Sequence, residues 1–471
     1  MAKKILGALA AMALSLLVVL AGLEAVLHAI GYPRTKTGHQ RFFVEYDADR
    51  GWRNVPGASG LFSTDEYDVE LQYNSRGIRG PERDRAKPEG VRRVVVLGDS
   101  FIEGYSVPRE QRVSEVLEGL LSKRDPAHRW EVIALGTAGY STDQELLWLR
   151  SEGLAYRPDV VVDMFYMNDV WFNGQSKYWR GEKPAFVLEN GELRLVNVPV
   201  PDTRPAGEKK KAKKESGGLG HWIRSRSKLV ALAQLALENS PGLRDAAARA
   251  GLVSPRKEDE DDETPHVSDE LSVFQKEPPA ATENGWTMTG AILGRMKRES
   301  NAAGASFIAF HIPLKGTVYP ESWAPTLAKL GIPADRLDPE RVRDRFLGIC
   351  AAETLDCIEP TDEFRRAAED GKAKGERLYW VVDNHWNAGG HALAAELLAR
   401  RILSLPATPP PPAPAAQAAP DGSPSAEPRA ATPPADATRP SDGSRAPAGP
   451  SAVAEPAASR VAPRRRDQNS V

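Results

Sequence analysis

Four short blocks, far apart in the chain, carry the side chains that could do chemistry. Gly98-Asp99-Ser100-Phe101 offers a hydroxyl, and Gly136-Thr137-Ala138-Gly139 offers backbone amides in a tight glycine-containing loop. Asn168-Asp169 offers a carboxamide beside a carboxylate, and Asp383-Asn384-His385 offers an imidazole with a carboxylate two residues before it. One hydroxyl, amide donors at a glycine loop, one carboxamide and one imidazole are the parts of acyl transfer through a serine. They serve that chemistry only if the fold brings them to one place.

The elements around them predict that it does. Val94 to Leu97 is a short apolar run ending in turn chemistry, the pattern of a strand buried on both faces. Its carboxyl end is where an open α/β sheet places its ligands, which sets Ser100 at the sheet edge. Further strands are expected at Trp130 to Leu135, Val160 to Phe165, Ser306 to His311 and Leu355 to Ile358. Helices are expected from Pro108 to about Lys123, after a Thr142 cap, from Trp286 to Asn301, from Arg341 to Ala352, and from Ala388 to about Leu403. Five parallel-type strands alternating with helices argue for a doubly wound α/β sheet, and each block falls at the end of a strand or just before a helix.

The alternation breaks after Asn168-Asp169 and resumes near Trp286. Asn190-Gly191 between Phe186–Leu188 and Leu193–Leu195 is a hairpin signal. Leu219 to Leu252 reads as helical, Lys209 to Lys214 as a solvated basic linker, and Glu258 to Glu263 as a disordered acidic run. The insertion, residues 170–284, is expected to decorate the rim of the site.

Composition bounds the rest. There are 62 basic and 64 acidic side chains, so no global charge favours nucleic acid. Lys3 and Lys4 precede an apolar stretch from Ile5 to about Leu23, which reads as an uncleaved signal anchor over residues 1–31. Everything after it is then expected outside the cytoplasm, in the periplasm or beyond, on a single-pass inner-membrane protein. Cys350 and Cys357 could pair there or stay as buried thiols, and they fit no zinc spacing. Residues 32–91 read as a short β extension packed on a catalytic domain of residues 92–405. Residues 406–471, rich in proline, alanine and serine, read as a disordered tail.

With the blocks in order, the chain resembles the GDSL/SGNH hydrolase superfamily, whose name comes from motif residues Ser, Gly, Asn and His. Gly98-Asp99-Ser100-Phe101 is similar to the first block, with Phe where Leu is commonest. Gly139 matches the second. Tyr166-Met167-Asn168-Asp169 keeps the third block's Asn without its glycine, and Asp383-Asn384-His385 shortens the usual Asp-x-x-His by one residue. That short form is similar to variants in sugar O-acetyltransferases of bacterial exopolysaccharide machinery.

The resemblance implies a flavodoxin-like three-layer sandwich around a parallel five-stranded sheet. It implies Ser100 as nucleophile, His385 as proton carrier and Asp383 as the holder of the imidazole tautomer. The backbone N–H groups of Ser100 and Gly139, with the Asn168 side chain, would form the oxyanion hole. No cofactor and no metal is expected. The implied function is an anchored serine esterase removing acyl, above all acetyl, groups from a carbohydrate. The alternatives are an O-acetyltransferase of envelope or exopolysaccharide sugars, and a catalytically silent glycan- or protein-binding module. Asp99 and Asp169 are expected to shape backbone, and His391 to be structural. His311 could face the cleft. Tyr105, Tyr140, Trp171 and Trp179 could stack on a sugar, and Trp386 should pack beside the imidazole.

Overall fold

The structure is a computed structural model and describes residues 2–30, 43–178, 181–203, 227–250, 270–330 and 332–406. In chain order it begins with helix α1 (Ala2–Ala29) and strands β1 (Val44–Asp47), β2 (Gly51–Asn54), β3 (Ser59–Ser63) and β4 (Asp68–Gln72). Then come β5 (Val91–Gly98), α2 (Ser100–Glu103), α3 (Val113–Arg124), β6 (Arg129–Gly136), α4 (Thr142–Ser151), β7 (Val160–Phe165) and α5 (Asn168–Asn173). A hairpin of β8 (Ala185–Glu189) and β9 (Glu192–Val196) precedes helices α6 (Lys228–Asn239), α7 (Pro241–Arg249) and α8 (Ala280–Ala302). The chain closes with β10 (Ser306–His311), α9 (Arg341–Ala352), β11 (Asp356–Ile358), α10 (Thr361–Lys372) and α11 (Ala388–Ser404).

The apolar runs do what their composition requires. β5, β6, β7, β10 and β11 form one parallel sheet in the order β11-β10-β7-β5-β6. Val94 to Leu97 and Val160 to Val162 are wholly buried, as strands covered by helices on both faces must be. The first crossover runs toward one edge of the sheet and the later ones toward the other. Right-handed crossovers then place α3 on one face and α4 and α8 on the other. In keeping with this, α3 packs on α11 and α8 packs on α4 and α5. The strand order reverses between β5 and β7, and a cleft opens at such a point beyond the strand ends.

The β extension is larger than its sequence predicts. Besides the β3–β4 ladder, it contains the β1–β2 ladder, whose four-residue strands are too short and polar to show alternation. Phe43, Phe62, Tyr67, Val69, Leu71 and Tyr73 form a small core of its own, against which Tyr105 and Trp380 of the main domain pack. Asn190 and Gly191 both take positive φ, as a two-residue hairpin turn between β8 and β9 demands.

Several expectations need correction. The N-cap of α4 is Ser141, not Thr142, and its N–H donates to Gln144 Oε1 at 3.3 Å. Helix α10 was not expected from sequence; its apolar face is narrow, with Phe364 and Ala368 facing the core. The helical stretch read over 219–252 is two helices within the described residues. The basic run 209–214, the acidic run 258–263, Trp179 and the tail from residue 407 lie outside them. Cys350 and Cys357 form a disulfide joining α9 to β11. The expected membrane span is not supported: among the described residues no helix is long and apolar enough to cross a membrane. In its place stands α1, which leaves Leu16, Leu17, Val18 and Val19 exposed.

Candidate active site

Each block is held by its own local chemistry. Gly98 ends β5 where a Cβ would come within 2.3 Å of the Ile102 side chain, so the chain can turn tightly only without one. The Asp99 side chain then caps α2 by accepting the Phe101 N–H at 2.9 Å, and Ser100 stands at the first helical position. Burial pushes the Asp99 carboxyl up to about 6, against the hydrogen bond from Phe101 and the charge of His385. Asp169 likewise serves backbone, accepting the Tyr166 N–H at 3.1 Å.

At the end of β6, Thr137 to Tyr140 make a turn closed by Tyr140 N–H to Thr137 O at 3.1 Å. Gly139 sits there at φ 79° with the Tyr178 ring against its α-carbon, where any side chain would be both strained and crowded. Asn168 begins α5 and lines the same cavity as Ser100 and Gly139. Its Oδ1 is buried without a hydrogen-bond partner among the described residues.

Opposite them a turn brings in the fourth block. Trp380 N–H donates to His385 O at 3.1 Å, and Tyr379 bridges Trp386. His385 Nδ1 lies 2.5 Å from Asp383 Oδ1, and its Nε2 lies 2.7 Å from Ser100 Oγ. A carboxylate only accepts, so Nδ1 carries the proton and Nε2 is left to accept from the serine hydroxyl. Burial pulls the imidazole down, but the charge and hydrogen bond of Asp383, with the charges of Asp99 and Glu103, outweigh it and hold His385 above its ordinary value. Burial would raise Asp383, yet the His385 charge and hydrogen bonds from His385 and Tyr67 hold it well below the usual carboxylate range.

Ser100, Gly139, Asn168 and His385 face a cavity of about 600 Å³, whose walls include Tyr105, Tyr178, Lys315 and Trp323. The Tyr105 ring is tilted against the His385 ring, with their centres 5.0 Å apart. Tyr140 is wholly buried and donates to Trp52 O at 2.6 Å, and Trp171 is not part of the lining, so neither offers a face to a sugar. His311 is buried against Glu359 at 3.0 Å, away from the cavity. His391 is buried and accepts the Val113 N–H at 3.3 Å; burial and the neighbouring arginines push it down to about 3. Trp386 is buried between Phe101 and Phe364.

The structure thus brings Ser100, His385, Asp383, Gly139 and Asn168 together, and adds residues that sequence alone did not single out. Trp52 Nε1 donates to Ala138 O at 3.1 Å and Asn54 Nδ2 to Gly136 O at 3.0 Å. Buried Glu103 receives the Ala138 N–H, and Glu66, Tyr67 and Lys315 contact the loop that carries Asp383. Only Glu103 left a signal, as a charge one turn after Ser100.

No family model and no curated protein matches the chain. Among solved structures it is similar to the lipase/acylhydrolase from Enterococcus faecalis, at 14% identity and a TM-score of 0.31, over 66% of this chain and 95% of that one. It is similar too to an acetyl xylan esterase, at 11% identity and TM-score 0.33, over 66% and 99%. An acetylxylan esterase from Geobacillus stearothermophilus gives 11% identity and TM-score 0.32, over 68% and 96%. The distances among Ser100, His385 and Asp383, rather than these likenesses, carry the functional reading.

Proposed function

We propose that the chain is a serine esterase of the GDSL/SGNH kind, working through an acyl-Ser100 intermediate. The observation that carries this is the continuous contact from Ser100 Oγ to His385 Nε2 at 2.7 Å and from His385 Nδ1 to Asp383 Oδ1 at 2.5 Å. Ser100 Oγ attacks the ester carbonyl carbon as its proton passes to His385 Nε2. The carbonyl oxygen, now negative, takes hydrogen bonds from the Ser100 and Gly139 N–H groups and the Asn168 carboxamide. The C–O bond breaks, and the alcohol leaves with the proton from Nε2. Water then gives a proton to Nε2 and attacks the acyl carbon, and the Ser100 Oγ–acyl bond breaks as Nε2 returns that proton to Oγ, releasing the acid.

The substrate we propose is an O-acyl, foremost O-acetyl, carbohydrate. Support comes from the rings of Tyr105, Tyr178 and Trp323 around the cavity, which suit a sugar face. The short Asp383-x-His385 spacing favours a second reading, transfer of the acyl group to a sugar hydroxyl in place of water. We place the domain outside the cytoplasm, supported by the Cys350–Cys357 disulfide, and attach it to a membrane through the exposed apolar side chains of α1.

The test is a chromogenic acetyl ester offered with and without a panel of oligosaccharides, together with fluorophosphonate labelling. Labelling at Ser100 that His385→Ala abolishes, and acetate release unchanged by sugars, is expected. Acetylated sugar appearing at the expense of acetate would favour the transferase, and ester hydrolysis retained by Ser100→Ala would overturn both.

A further inference from the structure

We propose that the tip of the β3–β4 hairpin is a clamp for the catalytic acid, with Tyr67 and Glu66 as positioning residues of the triad. This rests on the reading of Ser100, His385 and Asp383 as that triad. The need for a clamp follows from the loop itself. Val381 and Val382, next to Asp383, are 63% and 79% exposed, so apolar packing does not hold this stretch in place. The two-residue spacing also leaves the acid under-determined. A single oxygen, Asp383 Oδ1, serves both the His385 backbone N–H at 2.9 Å and the His385 ring at 2.5 Å. The terminal torsion of an aspartate is broad, so this local closure alone does not fix the carboxylate plane.

The hairpin supplies what is missing. Tyr67 donates its O–H to the other oxygen, Asp383 Oδ2, at 2.5 Å, which sets the plane in which Oδ1 faces the imidazole. Glu66 grips the backbone with both oxygens, accepting Val382 N–H at 2.9 Å and Asp383 N–H at 2.6 Å. From the far side Lys315 Nζ donates to the carbonyls of Val381 at 2.6 Å and Asp383 at 3.3 Å. The tip is itself built to be rigid. Thr64 Oγ1 accepts the N–H groups of Glu66 and Tyr67, Thr64 N–H returns to Tyr67 O, and the Tyr67 ring packs on Phe62 and Trp380. Burial and the Asp383 charge push the Tyr67 phenol far up, so it remains a donor at any working pH.

The experiment pairs ester turnover with a titration of the His385 ring by NMR in the full chain, since the titration reads the clamp even if turnover is absent. Tyr67→Phe keeps the ring packing and removes only the O–H. It is expected to lower kcat about 10- to 100-fold, the scale of one hydrogen bond to a charged group, with KM little changed. The His385 titration should fall toward the ordinary imidazole value as Asp383 loses its fixed orientation. Glu66→Gln, which keeps one acceptor oxygen, should lose less activity than Glu66→Ala. A Tyr67→Phe protein with the wild-type titration, or one in which His385 titrates higher, overturns the clamp. So does equal activity of the two Glu66 variants, which also carries the test if Tyr67→Phe does not fold. A wild-type protein inert to esters would sink the esterase reading instead, with the titration still deciding the clamp.

Discussion

Glu103 Oε2 accepts the Ala138 N–H at 2.6 Å, so a wholly buried carboxylate at the end of the nucleophile's helix holds the loop that presents Gly139. Its other oxygen takes the hydroxyl of Tyr73, from the β extension. Glu103→Ala should leave both donors unpaired inside the protein and cost about 1–3 kcal/mol per group. Urea unfolding would read that loss. A fall in kcat beyond that of an equally destabilised variant elsewhere would report the displaced oxyanion loop.

Activity should rise with pH as His385 loses its proton, because only neutral Nε2 can take the serine proton. The Asp383 contact holds the imidazole above its ordinary value, so the midpoint of the kcat/KM profile should lie above about 6.5. Asp383→Asn should move that midpoint down and lower kcat on the order of 10³- to 10⁴-fold, as the imidazole loses its tautomer and its counter-charge. A midpoint that does not move would remove Asp383 from the triad.

Stability should fall as pH rises from acid toward neutral. Burial raises the carboxyls of Glu145, Asp163 and Asp169, Asp163 to about 7, and the proximity of these groups adds to the effect on Glu145 and Asp169. A carboxyl raised on folding contributes stability fully below its unfolded value, about 4, and loses it as pH rises through its folded value. The melting temperature should therefore drop as pH rises from about 4 to about 7, and Asp163→Asn should make that drop smaller. An equal drop in both proteins would show that Asp163 is ionised in the folded state across this range.

The Cys350–Cys357 disulfide closes a short loop between α9 and β11. Replacing both cysteines by alanine should cost about 2–3 kcal/mol on the chain-entropy account. The edge strand β11 lies on the far side of the sheet from β5. Ester turnover at low temperature should therefore be unaffected, and a matched loss of kcat would contradict that separation.

Much of this protein is written locally in its sequence. Apolar runs of four to six residues ending in turns can be satisfied only as buried strands, which is why β7 and β10 were legible in full and β5 through its buried centre. Their regular alternation with helices leaves one economical solution, the right-handed doubly wound sheet, and strand ends then fix where Ser100, Gly139 and Asn168 emerge. What the sequence could not determine is how a carboxylate only two residues from its histidine is held in place. That depends on Glu66 and Tyr67, more than three hundred residues away in the chain, at the turn joining β3 to β4, where the alternation of β4 marks a strand but not what its tip touches. The loop that carries Gly139 is likewise fastened by Trp52, Asn54 and Glu103, whose partners are backbone atoms. Every residue type but proline presents the same N–H and C=O to such contacts, so nothing in the residues being held reveals what holds them. Only the tertiary structure, by bringing those backbone groups within hydrogen-bonding distance, decides it.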